Sequence, residues 1–109
     1  MKIRVSTSFK KDLKTAKKRG LDLEKLKYVI NELSSGNTLS EKYRDHALSG
    51  NWKGYRECHV EPDWLLVYQV DASFLYLYLV RTGTHSDLFF LYFSGFQFWK
   101  PVFFFRKNA

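Results

Sequence analysis

Three histidines and one aspartate stand out as groups able to do chemistry: His46, His59, Asp63 and His85. Imidazole exchanges protons near neutral pH, and a nearby carboxylate can orient the ring or take a proton itself. Lys53, Arg56 and Arg81 lie in the same part of the chain and offer positive charge for an anionic transition state. A single histidine in a small domain is more often structural than catalytic, and Asp63 after Pro62 is also an ordinary turn residue. What raises the set above that background is convergence, which depends on the elements that carry each residue.

"GYREC", "WLLVYQV" and "FLYLYLVRT" are rich in aromatic and β-branched residues, and the short connections "VEPD" and "DAS" predict an antiparallel meander. In a meander the end of "GYRECH", the start of "DWLLVY" and the end of "LVRTGTH" reach the same sheet edge. One pocket then gathers His59, Asp63 and His85, while His46 sits in a polar loop from Asn37 to Asn51. Cys58 alternates with His59 and faces the other side, which places it in the core and argues against a Cys and His nucleophilic pair. Trp64 is a core ring by its size, or a base-stacking platform if half exposed. No HxH or HxxxH pair supplies a compact ligand motif, so neither a metal nor another cofactor is expected.

Upstream, "KIRVS" reads as a short strand. Ser8 is expected to cap a first helix, "FKKDLKTAKKRG", that Gly20 stops. Asp22 opens a second, "LEKLKYVINELSSGN", in which Leu23, Leu26, Ile30 and Leu33 mark one buried face. The fold class is α+β, with two N-terminal helices packed on one face of a small antiparallel sheet. A chain of 109 residues suffices for one domain with a modest core.

Lys and Arg number 18 against 11 Asp and Glu, a net charge of +7 that favours anionic partners. Ten of those 18 lie at or before Lys27, so the first helix is either a solvated cationic face or one that meets phosphate. One cysteine fits a reducing compartment such as the cytoplasm, and "MKIRVSTSFKKDLK" lacks the apolar run of a secretory signal. The longest apolar region is broken by Gly95, Gln97, Lys100 and Pro101 and is too short to span a membrane.

The joined elements "DHALSG", "WKGYRECHVEPDW" and "RTGTH" resemble the YafQ branch of the RelE/ParE toxin superfamily, bacterial toxins of type II toxin-antitoxin systems. The resemblance runs from about residue 8 to Phe89. It implies a RelE-like RNase fold and cleavage of mRNA in the ribosomal A site without metal. The residues that match the family's catalytic positions are His46, His59, Asp63 and His85, with Trp64 and Phe89 matching its aromatic positions at the RNA. Arg81 is a candidate phosphate contact by position and charge. Implied partners are the ribosome, mRNA and a cognate antitoxin, through which the complex would bind operator DNA.

Such cleavage needs a base for the 2′-OH proton, an acid for the departing 5′ oxygen, and positive charge near the phosphorane. The assignment expected here makes His85 the acid, His46 or Asp63 the base, and His59 a support for charge or geometry. The gyrase-directed ParE branch shares the fold but is not expected to keep this set. A non-catalytic RNA- or protein-binding module is the remaining alternative.

The expected toxin domain covers residues 1–90. After it comes an aromatic-rich extension, 91–109, where such toxins usually end, and ten aromatic residues lie between Phe89 and Phe105. An added element covering the sheet, an oligomer or antitoxin surface, and a nonfunctional read-through all fit that composition. No catalytic role is expected of it, because the matched chemistry is complete before it.

Overall fold

The computed structural model describes residues 1–92, so most of the aromatic extension lies outside the described residues. The chain opens with strand β1 (Lys2–Val5), then helices α1 (Thr7–Lys18) and α2 (Leu23–Ser34). A short 3-10 turn (Glu41–Tyr43), strand β2 (His46–Ala47) and a second 3-10 turn (Gly50–Trp52) lead to the meander. Its strands are β3 (Arg56–Glu61), β4 (Trp64–Asp71) and β5 (Tyr76–Gly83), followed by a last 3-10 turn (Phe89–Tyr92).

Strand order is β1-β5-β4-β3-β2. The meander is antiparallel as expected and β2 pairs antiparallel with β3, but β1 pairs in parallel with β5, which makes the sheet mixed. The chain between these two parallel strands runs through both helices and the other three strands, the long connection that a parallel pairing requires. β2 is also an addition: His46 sits on a two-residue strand rather than in a bare loop, with Cα partners His46 and Glu57.

The helix boundaries follow local hydrogen bonding. Ser6, not Ser8, caps α1, because its Oγ accepts from the Phe9 N–H at 2.9 Å and donates to the Val80 carbonyl at 2.6 Å. Ser6 is therefore a cap and a tie to the sheet together, which Ser8, already inside the first turn of α1, cannot be. Asp22 caps α2 by accepting from Glu24 N–H at 3.0 Å. The expected face of α2 is inward, with Leu26 and Leu33 buried, and Val29 joins it.

β4 explains why the sheet is thick. Trp64, Leu66 and Tyr68 pack against the helices with Phe9, Ala16, Val29 and Cys58, whereas Leu65 and Val67 pack on the opposite face with Trp52, Val80, Leu88 and Leu91. A continuous apolar run is what a strand buried on both faces needs. Cys58 is fully buried as expected, and burial pushes its thiol pKa up. The second face is sealed by the segment after β5, and Leu91, one residue past the expected domain boundary, belongs to that core. Among the described residues no helix is long and apolar enough to cross a membrane.

Candidate active site

β3 extends to Glu61, so only Pro62 and Asp63 connect it to β4, two residues fewer than "VEPD" suggests. The register shifts between His59 and Glu61, leaving Val60 as an extra residue on β3. A bulge of this kind re-aims neighbouring side chains. Here it sits between His59 and the Asp63 turn.

The convergence expected of His59, Asp63 and His85 is present. The His59 and His85 rings lie 5.5 Å apart, centroid to centroid. Asp63 Oδ1 accepts from the backbone N–H of His85 at 2.9 Å and faces its Nδ1 at 2.6 Å. The backbone bond first and the ring contact second hold the Asp63 carboxyl below the usual carboxylate range. An aspartate so engaged is a poor base. It orients His85 and leaves Nε2 of that ring without a hydrogen-bond partner among the described residues.

His59 is half-buried, and its Nδ1 faces the Pro62 carbonyl at 3.3 Å. With Nδ1 as donor to that carbonyl, Nε2 carries the lone pair. His46 is arranged differently. Its Nδ1 meets the Arg44 carbonyl at 2.7 Å and its Nε2 lies 3.4 Å from Glu57 Oε1. Both nitrogens of His46 are thus turned to acceptors of the chain, which suits a ring that supports charge better than one that must take up a proton.

Glu57 was not legible as a site residue. It is 1% exposed, on the same face of β3 as His59, and roughly 7 Å along the strand from it by the rise of two residues. The available signal is a carboxylate at an inward strand position, alternating with core residues Cys58 and Val60. Asp45 next to His46 is a second addition: it accepts a short hydrogen bond from the buried Tyr68 hydroxyl and two from Arg56 at 3.3 Å. That network fixes the backbone from which His46 projects.

Two expectations fail on burial. Trp64 is 2% exposed, and its indole N–H donates to Thr82 Oγ1 at 2.9 Å, so the ring is core and offers no face to a base. Arg81 is committed to Asp12 through bonds of 2.7 and 3.1 Å with its side chain 15% exposed. Its charge is matched within the chain, tying β5 to α1, so a phosphate would have to displace Asp12. Phe89, by contrast, is exposed on the last 3-10 turn.

The loop carrying His85 is held from the other side by Asp87. Its carboxylate accepts from Arg19 at 2.6 Å and from the Thr84 N–H at 3.0 Å, while Thr84 Oγ1 accepts from the Asp87 N–H at 3.1 Å. Arg19 is the main cause that brings the Asp87 pKa down to about 2. Among the described residues no group of three or more His, Cys, Asp or Glu side chains is arranged to hold a metal ion.

Comparison with known proteins identifies the relatives of this chain. Residues 1–90 match the family model described as the bacterial toxin of type II toxin-antitoxin system, YafQ. The mRNA interferase toxin YafQ of Escherichia coli K12 is 47% identical over 88 residues, covering 80% of this chain and 94% of that protein. Among solved structures, YafQ in the E. coli DinJ-YafQ toxin-antitoxin complex is 46% identical with a TM-score of 0.73, covering 80% of this chain and 94% of that one. A metal-bound toxin from Helicobacter pylori is 46% identical with a TM-score of 0.76, covering 81% and 98%. Fold, motifs and similarity over most of its length agree that the chain belongs to the YafQ family of bacterial type II toxins.

Proposed function

We propose that this protein is the toxin of a toxin-antitoxin pair and cleaves mRNA in the ribosomal A site. The observation that supports it best is the His59 and His85 pair, 5.5 Å apart, with Asp63 orienting His85. Two imidazoles at that spacing can flank one phosphodiester, one taking a proton while the other gives one.

His59 Nε2 removes the 2′-OH proton, and the 2′ oxygen attacks the adjacent phosphorus. The bond from phosphorus to the 5′ oxygen breaks as His85 Nε2 delivers its proton to that oxygen. The products are a 2′,3′-cyclic phosphate and a free 5′-OH. His46, facing Glu57, stands beside this pair and supports positive charge toward the phosphorane. The base role passes from His46 or Asp63 to His59 because, with His85 as the acid, His59 is the remaining histidine that pairs an engaged Nδ1 with an uncommitted Nε2. Side chains supply every proton transfer, so the reaction needs no bound metal. Phe89 offers an exposed ring for a neighbouring base.

The antitoxin partner carries an acidic, partly disordered segment that orders on the cationic surface and through which the complex reaches operator DNA. The site of action is the cytoplasm, where ribosomes translate. Residues 1–90 form the toxin domain, and the extension beyond adds no catalytic group. Inducible expression with primer-extension mapping of mRNA ends tests the reading: His85→Ala abolishes growth inhibition and ribosome-dependent cleavage but keeps the fold and antitoxin binding. Undiminished cleavage by His85→Ala would refute it.

A further inference from the structure

A cavity of about 660 Å³ opens between α2, the Glu41–Tyr43 turn and the end of β3, with His59 in its wall. That volume lies within the range of small-molecule sites. Tyr28 on α2 is 52% exposed, its ring centroid 6.3 Å from that of Tyr43 and tilted by 31°. Lys42 Nζ lies 5.0 Å from the Tyr43 ring centroid. Lys25 in the same wall is paired with Glu61 at 2.8 Å, whereas Lys42 and Arg44 meet no carboxylate among the described residues.

Arg44 adds an independent sign. It holds a left-handed backbone, φ 47°, unfavourable for a residue with a long side chain. In that conformation its carbonyl meets His46 Nδ1 while the residue itself lines the cavity. One strained residue thus links the position of a catalytic ring to a cationic wall, the kind of place where such strain is retained.

An open aromatic face flanked by unmatched cations, sharing a wall with the proposed general base, is how single-stranded RNA is held: bases stack on rings and phosphates meet cations. We propose that the cavity is a nucleotide subsite for single-stranded RNA. It takes the nucleotide adjoining the scissile phosphate, stacks its base on Tyr28 and holds its phosphate between Lys42 and Arg44. This rests on the RNA-cleavage reading above.

The test measures kcat and KM for ribosome-dependent cleavage of one defined message over a potassium chloride series, with wild type, His85→Ala, Tyr28→Ala, Tyr28→Phe and Arg44→Asn. Thermal melting confirms that each is folded. Tyr28→Ala lowers kcat/KM by about 5- to 150-fold, the range for loss of one stacked base, chiefly through KM. Tyr28→Phe, which keeps the stacking face, restores most of that loss.

Arg44→Asn suits the left-handed backbone and removes the charge, so it weakens binding and flattens the log-log salt slope by about 0.7. A folded Tyr28→Ala that cleaves like wild type overturns the subsite and leaves the RNase reading standing. If Tyr28→Ala does not fold, an unchanged salt slope in Arg44→Asn overturns it. Variants that keep cleavage but lose affinity for an acidic antitoxin peptide assign the cavity to a protein partner and overturn it too. A wild type no more active than His85→Ala refutes the RNase reading, and the subsite with it.

Discussion

The Asp87 clamp offers a way to separate holding His85 in place from holding the domain together. Its carboxyl falls from an ordinary 3.8 to about 2, chiefly through Arg19. An unscreened shift of that size corresponds to roughly 2 kcal/mol of stability at neutral pH. Arg19 is 45% exposed and Asp87 31%, so water reduces this to about 1 kcal/mol. Asp87→Asn removes that ion pair while its amide oxygen can still accept from the Thr84 N–H. Asp87→Ala also loses that backbone bond, worth about 1 kcal/mol more. The expected loss of stability is therefore about 1 kcal/mol for Asn and about 2 kcal/mol for Ala, or roughly 4–8 °C in Tm for each kcal/mol.

The effect on activity is set by geometry instead. Asp63 fixes His85 from the β3–β4 turn, while Asp87 holds the following residues to Arg19 at the C-terminal end of α1 and to Thr84. A misplacement of about 1 Å in a catalytic group can cost roughly 100-fold in rate. A loop that keeps its Asp63 contacts and loses the Asp87 clamp should sit well short of that limit, so Asp87→Ala is expected to lower kcat about tenfold, with KM nearly unchanged. Ribosome-dependent cleavage under single-turnover conditions reads the rate, and thermal melts read stability. Equal kcat for Asp87→Ala and wild type, with the melt shifted as expected, would show that Asp63 suffices and the clamp is structural only. Folding depresses the Asp87 pKa, so its contribution is complete above about pH 4 and is lost as pH falls toward 2. The stability gap between wild type and Asp87→Asn must close across that window; a gap constant from pH 7 to pH 2.5 contradicts the ion-pair account.

Three further outcomes are expected. Thr82→Val strands the Trp64 N–H and the Leu65 carbonyl, both bonded to the buried Thr82 hydroxyl at 2.9 and 2.6 Å, and costs about 2–4 kcal/mol in urea unfolding; a loss under 1 kcal/mol would mean the core re-pairs them. Charge reversal at Lys14 and Lys18, both exposed on α1, weakens ribosome association and reduces its salt dependence, whereas identical binding over a salt series would remove α1 from the interface. Truncation after Tyr92 keeps Leu91 in its core and should leave cleavage intact; a folded but inactive product would place the aromatic extension in the mechanism.

Much of this architecture was legible because it depends on local pattern. Runs rich in aromatic and β-branched residues, joined by short connections, predict the meander, and the meander alone brought His59, Asp63 and His85 to one edge. Asp22 and the leucine spacing of α2 are signals of the same kind. What escaped was set by partners distant in the chain. Ser6 outcompetes Ser8 as a cap because Val80, 74 residues away, takes its hydroxyl. The parallel pairing of β1 with β5 leaves no mark in either strand's own sequence.

The site divides along the same line. Residue type and topology found the three histidines, but their roles depend on what each ring nitrogen faces, and Pro62, Asp63, Arg44 and Glu57 decide that. Trp64 and Arg81 show the converse. Trp64 was expected at the RNA by resemblance and Arg81 by position and charge, yet here Thr82 and Asp12 already satisfy their polar groups. Swinging Arg81 to a phosphate would leave the Asp12 carboxylate, 14% exposed, beside the Thr82 N–H without its cation. Phosphate binding by Arg81 therefore requires either that Asp12 move into water or that another cation replace Arg81, so Asp12→Asn should loosen α1 from β5 and free Arg81 at once. Tighter RNA binding in a less stable Asp12→Asn protein would show Arg81 to be a latent phosphate contact; weaker binding with lower stability would leave it a structural residue.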